Sequence, residues 1–158
     1  MRELAGTGRH LSTTELRLWT SFLDAGRIIE TELSRQLVEE FDMTHREYEV
    51  LVRVDGAGGE MRLIELARQI EASRALVSQT VDRLVERGWI ERGPAPDDGR
   101  GVVARLLADG TDALASAAGP HAELVRELLL DPVGGDIEVT AEALGRVADQ
   151  LRALRRNH

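Results

Sequence analysis

The sequence predicts a mostly α-helical chain with one small β-hairpin, and three observations predict it. The first is an amphipathic stripe, in which Val77, Val81, Leu84 and Val85 fall at i, i+4, i+7 and i+8 along one helical face. The second is another short apolar-periodic run, Leu63 to Ile70, which precedes this helix across only Glu71-Ala72. The third follows it: Gly88-Trp89-Ile90-Glu91-Arg92 reads as a short strand, Pro94 to Gly101 as a turn-rich loop, and Val102 to Leu107 as a β-branched strand. Two short helices joined so tightly must cross, forming a helix-turn-helix whose second helix can enter a DNA major groove. With a β-hairpin directly after it, the unit is a winged helix.

In chain order, residues 1–11 contain Gly and Arg without apolar periodicity and are expected to be loosely ordered. Ser12 to Glu15 (STTE) matches a capping box, opening a long helix to about Glu40. Its apolar positions run from Leu16, Leu18, Trp19, Phe22 and Leu23 through Ile28, Ile29, Leu33, Leu37 and Val38. That stripe is too broad for one neighbour, so a second packing surface is expected. Thr44 to Glu47 (THRE) repeats the capping box and opens a helix to about Asp55, with Tyr48, Leu51, Val52 and Val54 directed to the core. Gly56-Ala57-Gly58-Gly59 ends it as a plain turn, lacking the Lys-Ser/Thr that a phosphate loop needs.

The helix-turn-helix has its own punctuation. Leu63, Leu66, Ala67 and Ile70 are the buried side of its first helix. Ser73 can cap the second, and Gly88 can take the left-handed position that terminates it. Ala75, Gln79, Asp82, Arg83 and Glu86 face away from the stripe. Asp82 and Glu86 would repel phosphates, and are expected either to point away from the DNA backbone or to pair with Arg83 and Arg87. Beyond the hairpin, Asp109 or Thr111 is the expected cap of a helix to about Leu130, interrupted at Gly119-Pro120. Asp131 to Gly135 reads as a loop, and a last helix, about Val139 to Arg155, places Ala143, Leu144, Val147, Leu151 and Leu154 on one side.

Bulk properties bound the function. The chain has 158 residues and no cysteine, which excludes disulfides, thiolate zinc sites and thiol-based sensing by its own side chains. All 20 basic side chains are arginine, and the net charge is −8. The charge is unevenly distributed. From Arg62 to Leu107 eight arginines meet seven carboxylates, leaving the acid excess to the rest of the chain. Non-specific DNA affinity should therefore be modest. The N-terminus lacks an apolar signal core and no window approaches ~18 uninterrupted apolar residues, so a soluble, cytoplasmic protein without membrane contact is expected.

SRALVSQTVDRLVERGWIER followed by DDGRG, between long helices in this order, resembles the MarR (multiple antibiotic resistance regulator) family of transcription factors. The likeness covers roughly Ser12 to Arg155. It implies four parts: a flexible segment 1–11, an N-terminal dimerisation helix 12–42, a winged helix-turn-helix 43–107, and C-terminal dimerisation helices 108–158. It further implies a homodimer on a pseudo-palindromic operator in double-stranded DNA, with half-sites about one turn apart (~10 bp) and repression as the expected sense. A small aromatic or phenolic effector would shift the spacing of the two winged helices and weaken binding.

The groove-facing candidates are Ser73, Arg74, Ala75, Ser78, Gln79 and Arg83. Glutamine can pair with adenine, and arginine with guanine or a phosphate. The resemblance assigns Asp98 and Arg100 to the wing tip, the arginine at the minor groove or a phosphate and the aspartate bracing it. Trp19, Phe22, His45, Arg46 and Tyr48 are the residues suited to an aromatic acid. His45 and His121 are isolated in sequence, so no metal site is expected, nor any cofactor. No nucleophile elbow, P-loop or carboxylate pair suggests an enzyme. A winged helix used only for protein–protein contact, in keeping with the acidic charge, is the competing reading.

Overall fold

The computed structural model of the chain describes residues 10–95 and 101–156. Helix α1 spans Thr13–Phe41 and α2 spans His45–Gly56, each opened by the expected capping box. In the first, Ser12 N–H donates to Glu15 (2.7 Å) and Glu15 N–H to the Ser12 hydroxyl (3.3 Å). In the second, Thr44 and Glu47 exchange the same two bonds at 2.8 and 3.2 Å. Then come β1 (Glu60–Arg62), α3 (Leu63–Gln69), α4 (Arg74–Glu86), β2 (Ile90–Pro94) and β3 (Val102–Leu106). A long helical tail completes the order: α5 (Ala108–Val125), a π-helical turn (Arg126–Leu130), a single turn α6 (Asp131–Val133), a 3₁₀ turn (Gly134–Asp136) and α7 (Ile137–Arg156).

The hairpin has a third strand that hydropathy did not reveal. β1 pairs antiparallel with β3, giving the order β1-β3-β2. Three residues are too few to show an alternating pattern. Their pairing is instead supported across the sheet, where Arg105 lies opposite both Glu60 and Glu91 and forms ion pairs with each.

The core lies where α2, α3 and α4 meet the sheet. Leu37, Val50, Leu51, Val54, Leu66, Val77, Val81, Leu84 and Ala104 have no exposed surface. Two expected inward positions turn out otherwise. Val52 and Val85 are each 39% exposed, and Val50 and Thr80 occupy the interior instead. Thr80 satisfies its hydroxyl by donating to the Leu76 carbonyl at 2.9 Å, so burial leaves no orphan donor. Gly110 lets α5 pack closely against the residues that flank the hairpin. A β-carbon there would sit 2.2 Å from the Trp89 carbonyl oxygen, which accepts the Leu107 N–H.

Three expectations for the tail are corrected. Neither Asp109 nor Thr111 caps α5. The cap is Leu107, without a side-chain bond, and the Thr111 hydroxyl donates back to its carbonyl at 3.2 Å. Pro120 does not interrupt the helix. The bond its ring removes belongs to the Ser116 carbonyl, and both residues are exposed, so water can take that carbonyl. The segment after Leu130 is a helical turn rather than a loop, and the chain redirects at Gly134, whose φ is 57°.

Candidate nucleic-acid interface

Helix α4 is held at both ends by its own sequence. The Ser73 hydroxyl accepts the Leu76 N–H at 3.2 Å. At the other end Gly88 adopts φ 72°, Gly88 N–H reaches the Val85 carbonyl and Trp89 N–H the Leu84 carbonyl, both at 2.9 Å. This is the paired bonding of a left-handed helix stop. With Val77, Thr80, Val81 and Leu84 sealed inside, the first turns present Ser73, Arg74, Ala75 and Gln79 to solvent. Arg74 makes no ion pair within the described residues. Together with Ser78 and Ala75 it lines a cleft of about 630 Å³ that runs to Arg62 and to Val102 of the wing.

Two of the candidate side chains are engaged within the protein. Ser78 is half-buried, and its hydroxyl and carbonyl both accept from Arg92 of β2, at 3.0 and 2.8 Å. Arg92 also pairs with Asp82 at 2.9 Å. Asp82 thus turns toward the wing rather than toward Arg83, and the carboxylate that seemed to oppose DNA fastens the hairpin to the helix. Sequence reasoning passed over Arg92, yet a signal existed: in a strand, residues two apart share a side, so Arg92 follows the buried Ile90 toward α4.

Arg83 likewise has a partner. Its Nε donates to Glu47 at 3.1 Å, and the Glu47 side chain is only 5% exposed. Burial alone would raise that carboxyl. The Thr44 backbone and hydroxyl bonds, with the Arg83 guanidinium, outweigh burial and hold it below the usual carboxylate range. Arg87 does not meet Glu86 but crosses to Asp42, the residue that caps α1, pairing with it at 3.2 Å while its guanidinium lies 3.7 Å over the Trp89 ring. The wing-tip candidates Asp98 and Arg100 lie outside the described residues.

The pattern of the MarR family matches residues 41–101, the span from the end of α1 to the wing. The multiple antibiotic resistance protein MarR of Salmonella typhimurium is 30% identical over 99 residues, covering 59% of this chain and 68% of that protein. The chain belongs to the MarR family. Two solved relatives from Streptomyces coelicolor extend the likeness to the long helices. AbsC, a MarR family transcriptional regulator, superposes with a TM-score of 0.88 at 28% identity, over 92% of this chain and 99% of its own. Sco3205, solved in complex with DNA, gives 0.84 at 29% identity, over 90% of each chain.

As a MarR family member the protein is a transcriptional regulator rather than an enzyme. Four of its five effector candidates fall in two places, and the fifth, Arg46, joins neither pair. Trp19 and Phe22 stack with ring centroids 6.4 Å apart and line an apolar cavity of about 370 Å³ between α1 and α7, which includes none of the other three. His45 and Tyr48 gather around His121 of α5, with centroids 6.0 and 4.5 Å from it. The two histidines that stand apart in sequence are therefore neighbours. His121 is buried, and its Nδ1 meets no partner among the described residues. Burial first, and His45 second, push its pKa down. Burial likewise pushes the Tyr48 hydroxyl up. Arg46 is turned to Glu49 at 3.8 Å.

Proposed function

We propose that this MarR family regulator binds double-stranded DNA as a homodimer, each protomer placing the first turns of α4 in the major groove at one half of a pseudo-palindromic operator. The observation that carries this reading is the two-sidedness of α4, with a sealed apolar side opposite exposed Ser73, Arg74, Ala75 and Gln79. The Arg92 tie to Ser78 and Asp82 supports it, since it fixes the wing at a set angle to that helix. So does the solution of Sco3205 with DNA, at 29% identity. Arg74 would contact phosphate or guanine, and Gln79 an adenine. Arg83, committed to Glu47, would orient the helix rather than read a base. The arginine proposed for the wing tip is Arg100, braced by Asp98.

The exposed apolar sides of α1 and α7 supply the dimer contacts. A small aromatic or phenolic effector bound near Trp19 and Phe22, or near His45 and Tyr48, would alter the spacing of the two winged helices and release the operator, giving repression its switch.

A gel shift across a salt series on DNA flanking the protein's own gene tests the docking. Arg74→Ala should weaken binding to every sequence and lower the salt slope by about 1, while Gln79→Ala should cost about 1–3 kcal/mol on the preferred operator alone. Salt-insensitive binding, or unchanged affinity in both variants, would leave the protein–protein reading standing.

A further inference from the structure

Glu71, in the turn between α3 and α4, is in the left-handed region at φ 53°. A glycine or asparagine is the ordinary occupant of this position after a helix. The glutamate carboxylate holds two arginines far away in sequence, Arg152 at 3.1 Å and Arg155 at 2.9 Å, both on α7. These three residues, with Arg53 of α2 and Arg68 of α3, line a cleft of about 590 Å³. Four arginines and a single carboxylate therefore line this cleft, in a chain whose net charge is −8. Two are partly compensated from outside the cleft, Arg68 by Glu65 at 2.5 Å and Arg152 by Asp149 at 3.1 Å. Arg53 makes no ion pair within the described residues.

We propose that this cleft is a binding site for a small oxyanion, a dicarboxylate or a phosphate group, with the Glu71 carboxylate as its displaceable internal occupant. Planar guanidinium groups bind carboxylates and phosphates through paired, charge-assisted bonds, and two of them already converge on a single carboxylate here. An entering anion would take Arg152 and Arg155 from Glu71 and free the turn that leads into α4. Its effect on DNA rests on the reading proposed above; the binding itself does not.

Calorimetric titration of the full chain with sodium phosphate and, separately, sodium succinate, at neutral pH and fixed ionic strength, tests the site without DNA. Saturable binding of at least one anion is expected, and which one binds identifies the headgroup. Arg152→Ala with Arg155→Ala should weaken it by about tenfold or more. Glu71→Gln, which removes the competing carboxylate and leaves the fold its turn, should tighten it several-fold. A purely structural ion pair would leave anion binding unmoved by Glu71→Gln. Absence of saturable binding to both the natural chain and Glu71→Gln, or binding that none of these substitutions changes, overturns the proposal.

Discussion

The winged helix and the terminal helices dispose of their apolar residues in opposite ways. In α4 the side chains of Val77, Val81 and Leu84 are wholly enclosed by the protomer itself. On α1 and α7, Leu18 and Val139 are 72% and 68% exposed, in company with Trp19, Phe22, Ile28, Val147 and Leu151. One region is closed within a single chain. The other leaves large apolar side chains at its surface, as interaction faces do. The two regions should therefore respond differently to substitution: the first through folding, the second through association.

The largest expected effect lies in the closed region. Leu84→Ala removes a fully buried side chain between α4 and the sheet, and should lower folding stability by about 2–5 kcal/mol. Urea denaturation at several protein concentrations should show that loss unchanged by dilution. On the open side Val147→Asp puts a charge on a half-exposed position of α7, in contact with the Trp19–Phe22 cavity. Sedimentation should find the proposed dimer weakened about 100-fold, near 2.7 kcal/mol, with helix content retained. If Val147→Asp left association unchanged, the apolar side of α7 would need another explanation than a second copy.

The same division governs what could be read before the structure was known. Local chemistry was legible. The Ser12–Glu15 and Thr44–Glu47 boxes, the Ser73 cap, the Gly88 stop and most of the α4 stripe are encoded within four residues of themselves. Contacts between distant segments were not. Arg83 meets Glu47 across 36 positions and His121 meets Tyr48 from another helix, and no spacing announces either. Pro120 misled because propensity assumes an interior position, whereas here the freed carbonyl faces water. At the candidate interface, sequence identified which side chains lie on the outward half of α4, but not that Arg83 and Ser78 are held there by other elements.

Arg83 and Glu47 tie α4 to α2 within the closed region, and breaking this link should have an intermediate effect. Glu47→Gln keeps the shape and removes the charge, at a cost of about 1–3 kcal/mol. Because the folded carboxyl lies below its unfolded value of about 4.3, its contribution is present above that pH and is lost as pH falls through the lower folded value. Stability measured from neutral to acid pH should thus fall less steeply in Glu47→Gln than in the natural chain at the acid end.

The smallest effect tests the seam where the two regions touch. His121 lies on α5 against Tyr48 and His45 of α2, buried among groups that do not welcome a proton. Its folded pKa is depressed by burial and by His45, whereas the unfolded imidazole titrates near 6.5. The unfolded chain therefore binds the proton more readily, so the neutral ring stabilises the fold fully above about pH 6.5 and progressively less as pH falls toward the folded value. Thermal unfolding between neutral pH and about pH 5 should show that decline in the natural chain and a flatter profile in His121→Phe, which keeps the ring and discards the titration. An equally steep decline in His121→Phe would assign the acid sensitivity to groups other than this imidazole.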